Sequence, residues 1–134
     1  METVCAKGKR PSLFLAEGVF MYFEKAQVQS LVLTLRDRFP GAELVFDAFS
    51  PFHLRIHNNK VDRTGIGAHL HWALKNGREL ERWSGSSNSP GAGGIRLLDE
   101  YFPYRYPEPR IRRFPIIILL PLLAKALGVF HYQL

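Results

Sequence analysis

At 134 residues, 46% of them hydrophobic, the chain has the length and composition of one folded domain and not of a fibrous or low-complexity protein. Its formal net charge is +6, but the basic residues are scattered in small clusters, which disfavours a nucleic-acid-binding role. The single cysteine, Cys5, excludes an internal disulfide and favours a reducing compartment, so we predict a cytoplasmic protein.

The first part of the chain predicts a strand, a helix and a second strand. Residues 1–10 are polar and basic and are expected to form a tail ahead of a single domain over 11–134. Residues 12–16 form a nearly continuous apolar run, typical of a strand buried on both faces. Residues 24–39 predict a helix, and 42–49 a second strand, which together make a βαβ unit. The apolar residues of the helix recur at helical spacing, at Val28, Leu31, Val32, Leu35 and Phe39.

The middle of the chain is less regular. Residues 52–76 are mostly polar and give no clear periodic signal. Residues 77–83 predict a short helix with Leu80 and Trp83 on one side. Residues 84–94 consist of Ser, Gly, Asn and Pro apart from one alanine, which predicts a flexible loop.

The last part of the chain predicts a second pair of strands. Residues 95–100 read as a third strand, and 114–127 as a helix that Pro121 kinks or breaks. That apolar segment is too short to span a bilayer, so no membrane role is expected. Residues 129–134 alternate as a final strand, which we expect to insert into the sheet.

Five segments carry a resemblance to a known family. They are LAEGVFMYF at 15–23, FPGAELVFD at 39–47, HWAL at 71–74, RELERW at 78–83 and VFHYQL at 129–134. In this order they resemble the leucine carboxyl methyltransferase family, and the nearer branch is similar to the bacterial tetracenomycin polyketide O-methyltransferase. The resemblance implies S-adenosylmethionine as cofactor and a small-molecule acceptor, either a carboxylate or a polyketide-like compound.

The resemblance also implies that this chain corresponds to the C-terminal half of that fold. Family members begin with three strands, a glycine-rich turn that cradles the cofactor and an acidic residue that grips its ribose. This sequence lacks those features, because its glycine cluster at 91–94 follows a polar loop and not a strand. The predicted fold is therefore α/β, the C-terminal half of a Rossmann-like class I methyltransferase. Its mixed sheet would hold strands four and five and then an antiparallel C-terminal pair, and the chain would be inactive alone.

Three residues are candidates for the site. By resemblance Glu17 contacts the cofactor, although a carboxylate there also suits a loop-stabilising role. Tyr22 matches a family tyrosine and would lie on the substrate side, or else pack as an ordinary aromatic. Asp47, near the end of the second strand, could contact substrate, but a turn-stabilising role is favoured.

The sequence identifies no catalytic acid or base. A carboxylate acceptor is already ionised and needs none, whereas a phenolic acceptor would need a base that we cannot name. His69 and His71 are spaced to face one way on a strand, but two ligands without a third make a weak metal site, and no metal is expected.

An alternative function belongs to a different class. The chain could be a non-catalytic α/β binding or assembly module that pairs through the exposed edge of strand 12–16. That hypothesis predicts a homodimer, or a complex with a complementing N-terminal half.

Overall fold

The computed structural model describes residues 12–86, 94–103 and 125–134. Over these ranges the chain forms a four-stranded mixed sheet with two α-helices and two 3-10 helices, which confirms a mixed α/β fold. The strands are β1 (Leu13–Ala16), β2 (Glu43–Phe49), β3 (Arg96–Tyr101) and β4 (Leu127–Gln133). The helices are α1 (Lys25–Arg38) and α2 (Pro51–Thr64), and the 3-10 helices are Phe20–Tyr22 and Gly77–Ser86. Within the described ranges, no helix has the length and apolar content required to cross a membrane.

The predicted strand–helix–strand unit is confirmed at the start of the chain. β1 and β2 are parallel, with Leu13 opposite Glu43 and Ala16 opposite Phe46. Helix α1 begins after Glu24, whose backbone N–H donates to Gln27 Oε1 at 2.9 Å and so satisfies one free donor of the first turn.

The sheet order is β1-β2-β4-β3, and β4 runs antiparallel to both of its neighbours. The final strand therefore inserts into the sheet as predicted. It begins at Leu127, where the sequence had predicted the end of a helix; the rest of that predicted helix and most of the loop over 84–94 lie outside the described residues.

The two faces of the sheet differ in burial. Along β2 and β4 buried and partly exposed side chains alternate, so one face packs on a core and the other carries side chains that are partly exposed. We call the first the inner face and the second the outer face. The inner face carries Phe46 and Tyr132, whose rings stack with centroids 5.6 Å apart. Val28 and Val32 of α1, with Leu80 and Trp83, complete this core as the sequence predicted.

The prediction that β1 is buried on both faces is wrong. Leu13 is 63% exposed and Leu15 72% exposed, and both lie on the outer face. β1 is the edge strand of the described sheet, so its side chains have a neighbouring strand on one side only. The outer face of the neighbouring strands β1, β2 and β4 carries Leu13, Leu15, Val45 and Val129.

Two features of the helices were missed. Helix α2 occupies a segment that gave no periodic signal, because Val61 is its single buried residue. Its ends nevertheless follow local rules: Ser50 Oγ accepts from the His53 N–H, and Gly65 closes the helix at φ +66°. In α1 the buried face includes Arg36, 1% exposed, while Leu31 is 45% exposed, so the buried stripe is rotated from the predicted one.

Candidate functional site

The turn that follows β1 is tied to β2 by a carboxylate. The Gly18 N–H donates to Asp47 Oδ1 at 2.7 Å, and Gly18 has φ +64°, a conformation that favours glycine. Because β1 and β2 are parallel, the end of β1 and Asp47 lie toward the same edge of the sheet. Asp47 thus acts as an acceptor for the turn, which agrees with the stabilising role that the sequence favoured.

Glu17 lies next to this hydrogen bond. Its side chain is exposed and makes no hydrogen bond or ion pair with any residue that the structure describes. A cavity of about 280 Å³ opens beside it on the outer face. The cavity walls come from three strands and include Leu15, Glu17, Val45, Asp47 and Val129. The site is therefore a shallow apolar cavity with two carboxylates at one end.

Tyr22 does not line this cavity. It ends the first 3-10 helix and is 49% exposed, whereas its neighbours Phe20 and Met21 are each 4% exposed. The Met21 carbonyl accepts from the His71 N–H at 2.8 Å and the Trp72 N–H at 3.2 Å, which anchors the 3-10 helix to the segment after α2. The structure thus brings Glu17 and Asp47 together and leaves Tyr22 apart from their cavity.

The two histidines considered as metal ligands have separate partners. His69 Nε2 lies 2.7 Å from Asp62 Oδ1, and His71 Nδ1 lies 3.2 Å from Glu24 Oε1. Both occupy an irregular segment and not a strand. Across 12–86, 94–103 and 125–134 there is no group of three or more His, Cys, Asp or Glu side chains that could hold a metal ion.

A second region, which sequence reasoning missed, lies beyond the carboxyl end of β2. It holds two cavities of about 610 Å³ each, and Lys75 and Asn76 line both of them. The second cavity brings Lys25 of α1 next to Glu79, and their side chains pair at 2.7 Å. These two residues are 54 positions apart, so no local sequence signal could have joined them.

Two titratable groups near these cavities have shifted pKa values. Burial raises the pKa of Tyr132, and the negative charges of Glu100, Glu81 and Glu79 raise it further. The Tyr132 hydroxyl donates to the Gly77 carbonyl and holds the start of the second 3-10 helix against β4. In the first turn of α2, next to Phe52, burial and then the charge of His57 lower the pKa of His53.

No protein-family model, no curated protein and no solved structure significantly matches the chain.

Proposed function

We propose that this chain is the C-terminal half of an S-adenosylmethionine-dependent O-methyltransferase of the leucine carboxyl methyltransferase type, and that it is inactive alone. The observation that carries the proposal is the arrangement at the carboxyl edge of β1 and β2. There Glu17 has no partner among the described side chains and stands over an apolar cavity beside Asp47. Ligands of open α/β sheets bind outside the carboxyl ends of parallel strands.

The topology supports the same proposal. A parallel pair, β1 and β2, is followed in sequence by two strands that pair antiparallel, as expected for the second half of that fold. β1 lies at the edge of the described sheet with Leu13 and Leu15 largely exposed. A first half that pairs with β1 would cover these leucines and would bring the glycine-rich turn that this chain lacks.

The residues present fit one part of the cofactor. S-Adenosylmethionine carries hydroxyl and ammonium groups, and the unpartnered Glu17 carboxylate can accept hydrogen bonds from either. Glu17 would therefore hold the cofactor, while Asp47 keeps the adjoining turn in place through Gly18. When bound, the cofactor supplies the methyl group.

The acceptor would be a carboxylate or a hydroxyl of a small molecule. A carboxylate is ionised near neutral pH, so the protein needs no general base and has only to orient the acceptor oxygen. Orientation alone can supply about 7 kcal/mol of the barrier in well-aligned reactions.

Binding of the cofactor to the isolated chain tests the proposal. We expect calorimetry to detect no micromolar binding of S-adenosylmethionine, because half of the pocket is missing. An amide-resolved NMR titration at millimolar cofactor should nevertheless shift the Glu17 and Gly18 signals. Glu17→Gln should reduce these shifts, whereas Glu100→Gln, an exposed carboxylate on β3 outside this cavity, should leave them unchanged.

Two outcomes would contradict the proposal. Shifts that are absent, or equal in the Glu17→Gln variant, would remove Glu17 from the cofactor site. Micromolar binding of S-adenosylmethionine would still be compatible with a methyltransferase function, but it would refute the claim that the chain holds an incomplete pocket.

A second candidate function is the assembly module, which the exposure of β1 favours. A strand edge with unpaired backbone groups is a template for pairing with another chain. Sedimentation velocity should then show a dimer that Leu15→Lys weakens, since Leu15 lies on the edge strand and is 72% exposed. A wild-type chain that remains a monomer at high concentration would count against this function.

A further inference from the structure

The two cavities that share Lys75 differ in chemistry. The first is mainly apolar, with walls that include Phe52, Phe102 and Phe130, and the opposite charges of Glu100 and Lys125 also line it. The second is polar, and Lys25, Glu79 and Arg82 line it above the nearly buried ring of Trp83. Lys75 and Asn76 stand between them, so a ligand could use both at once. We call the two together the Lys75 site.

The second cavity of the Lys75 site carries positive charge that its other lining residues do not neutralise. Lys25 is paired with Glu79 at 2.7 Å, and these two charges cancel. Lys75 and Arg82 are exposed and form no hydrogen bond or ion pair with other residues in the described ranges. The second cavity therefore has an excess of two positive charges at its wall.

The backbone around Lys75 is held on both sides. Before it, the Leu74 N–H donates to the Phe49 carbonyl at 3.0 Å. After it, Asn76 Oδ1 accepts from the Arg78 N–H at 3.0 Å, and the Gly77 carbonyl accepts from the buried Tyr132 hydroxyl. This backbone is consequently set in place before a ligand binds, which lowers the entropy cost of binding.

We propose that the Lys75 site binds an organic monoanion with an apolar body. Its anionic group would lie against Lys75 and Arg82, and its body would fill the apolar cavity beside Phe52 and Phe130. A carboxylate is the chemistry that suits this combination, because burial of the body and pairing of the charge act together.

A polyanion such as nucleic acid suits the site less well. A chain of phosphates would extend past Lys75 and Arg82 and bring negative charge against Glu100, whereas a single carboxylate has to reach only the two cations. Neither Glu17, Tyr22 nor Asp47 lines either cavity, so the Lys75 site is separate from the proposed methyl-transfer site.

A matched pair of probes tests this inference with the full chain and without S-adenosylmethionine. The charged probe is 2-naphthoate and the neutral one is 2-naphthylmethanol, which share the same ring system. We expect saturable binding of naphthoate by calorimetry, at least about tenfold tighter than the alcohol, which corresponds to about 1.4 kcal/mol.

Variants then test which side chains bind the carboxylate of naphthoate. Lys75→Met should weaken naphthoate binding about tenfold while leaving the alcohol unaffected. The control Lys60→Met removes an exposed lysine from α2, outside both cavities, and should bind as wild type does. Arg82→Gln provides a second variant of the same cavity if circular dichroism shows that Lys75→Met is unfolded.

Three results would overturn the inference. Equal affinity for the two probes would mean that charge takes no part. An unchanged affinity in both Lys75→Met and Arg82→Gln would place the naphthoate elsewhere. Inorganic phosphate that binds as tightly as naphthoate would show a simple anion site without an apolar subsite. None of these results depends on cofactor binding, so they leave the proposed methyltransferase function standing.

Discussion

Replacing Tyr132 with Phe removes the hydroxyl of a buried side chain on the inner strand β4 and keeps its ring. Tyr132 is 0% exposed, and its hydroxyl donates to the Gly77 carbonyl. The stacking on Phe46, at a centroid distance of 5.6 Å, survives the change. The variant therefore leaves one buried carbonyl without its donor, a loss that typically costs about 1–3 kcal/mol.

We expect Tyr132→Phe to lower the free energy of unfolding by about 1.5 kcal/mol near neutral pH, a large fraction of the stability of a small domain. Urea denaturation followed by far-ultraviolet circular dichroism measures this loss, and the m-value should not change because the same surface is exposed. Tyr22→Phe is the matched control. Tyr22 is 49% exposed, so the same chemical change there should cost almost nothing.

The pH dependence gives an independent check. In the folded protein burial raises the pKa of Tyr132 above the ordinary tyrosine value of about 10. The stability that this group contributes is thus fully present below pH 10 and is lost as the pH rises further. Above pH 10 the difference between wild type and Tyr132→Phe should narrow, by up to about 1.4 kcal/mol per pH unit. Equal stabilities at pH 7, or a difference that stays constant above pH 10, would refute the reasoning.

Substitutions at three further residues test local features. Asp47→Ala should cost about 1 kcal/mol and speed hydrogen exchange at the Gly18 amide, because that amide loses its acceptor at 2.7 Å; Asp47→Asn should lose less. His53→Gln should flatten the loss of stability below about pH 6.5, because burial and His57 lower the pKa of folded His53 and protonation then favours the unfolded chain. Gly65→Ala should cost about 1 kcal/mol, since φ is +66° while no atom lies within 4 Å of the added Cβ.

The changes at Asp47 and Gly65 each have a comparison variant. For the Asp47 change it is Asp62→Ala, which removes an exposed pair with His69 and should cost less than about 0.5 kcal/mol. For Gly65 it is Gly94→Ala, where the added Cβ would lie 3.9 Å from Ser84 Oγ, an ordinary contact. An equal loss of stability in Asp47→Ala and Asp62→Ala, or in Gly65→Ala and Gly94→Ala, would contradict the cause given for that pair. If the stability of His53→Gln falls with acid as steeply as that of wild type, the role given to His53 is wrong.

Local sequence patterns were sufficient to predict the elements in which buried residues recur at a regular spacing. The helix over 24–39 and the strand over 42–49 appear as α1 and β2 within one or two residues. Leu80 and Trp83 are buried as their spacing predicted. Helix α2 was missed because helix periodicity is visible only when one face is apolar, and Val61 alone is buried in α2.

The site was only partly accessible to the same reasoning. A carboxylate at the end of a strand marked Glu17 as a candidate, and its role toward a cofactor stays a prediction; its side chain has no partner among the described residues. The hydrogen bond from Gly18 to Asp47 joins residues 29 positions apart, so its existence depends on the parallel pairing of β1 and β2.

Apart from α2 and the first residues of β4, the sequence by itself determined which described segments become strands and helices, because hydrophobic periodicity and capping residues act over a few positions. It did not determine which face of the sheet is covered, and an edge at strand 12–16 was expected only through the family resemblance. The exposure of Leu13 and Leu15 follows from the order β1-β2-β4-β3, and that order is set by pairings between distant segments. The Lys75 site arises in the same way. Only the folded chain brings Lys25 to Glu79 and leaves Lys75 and Arg82 without partners among the described residues, since charges that are far apart in sequence meet only after the core has packed.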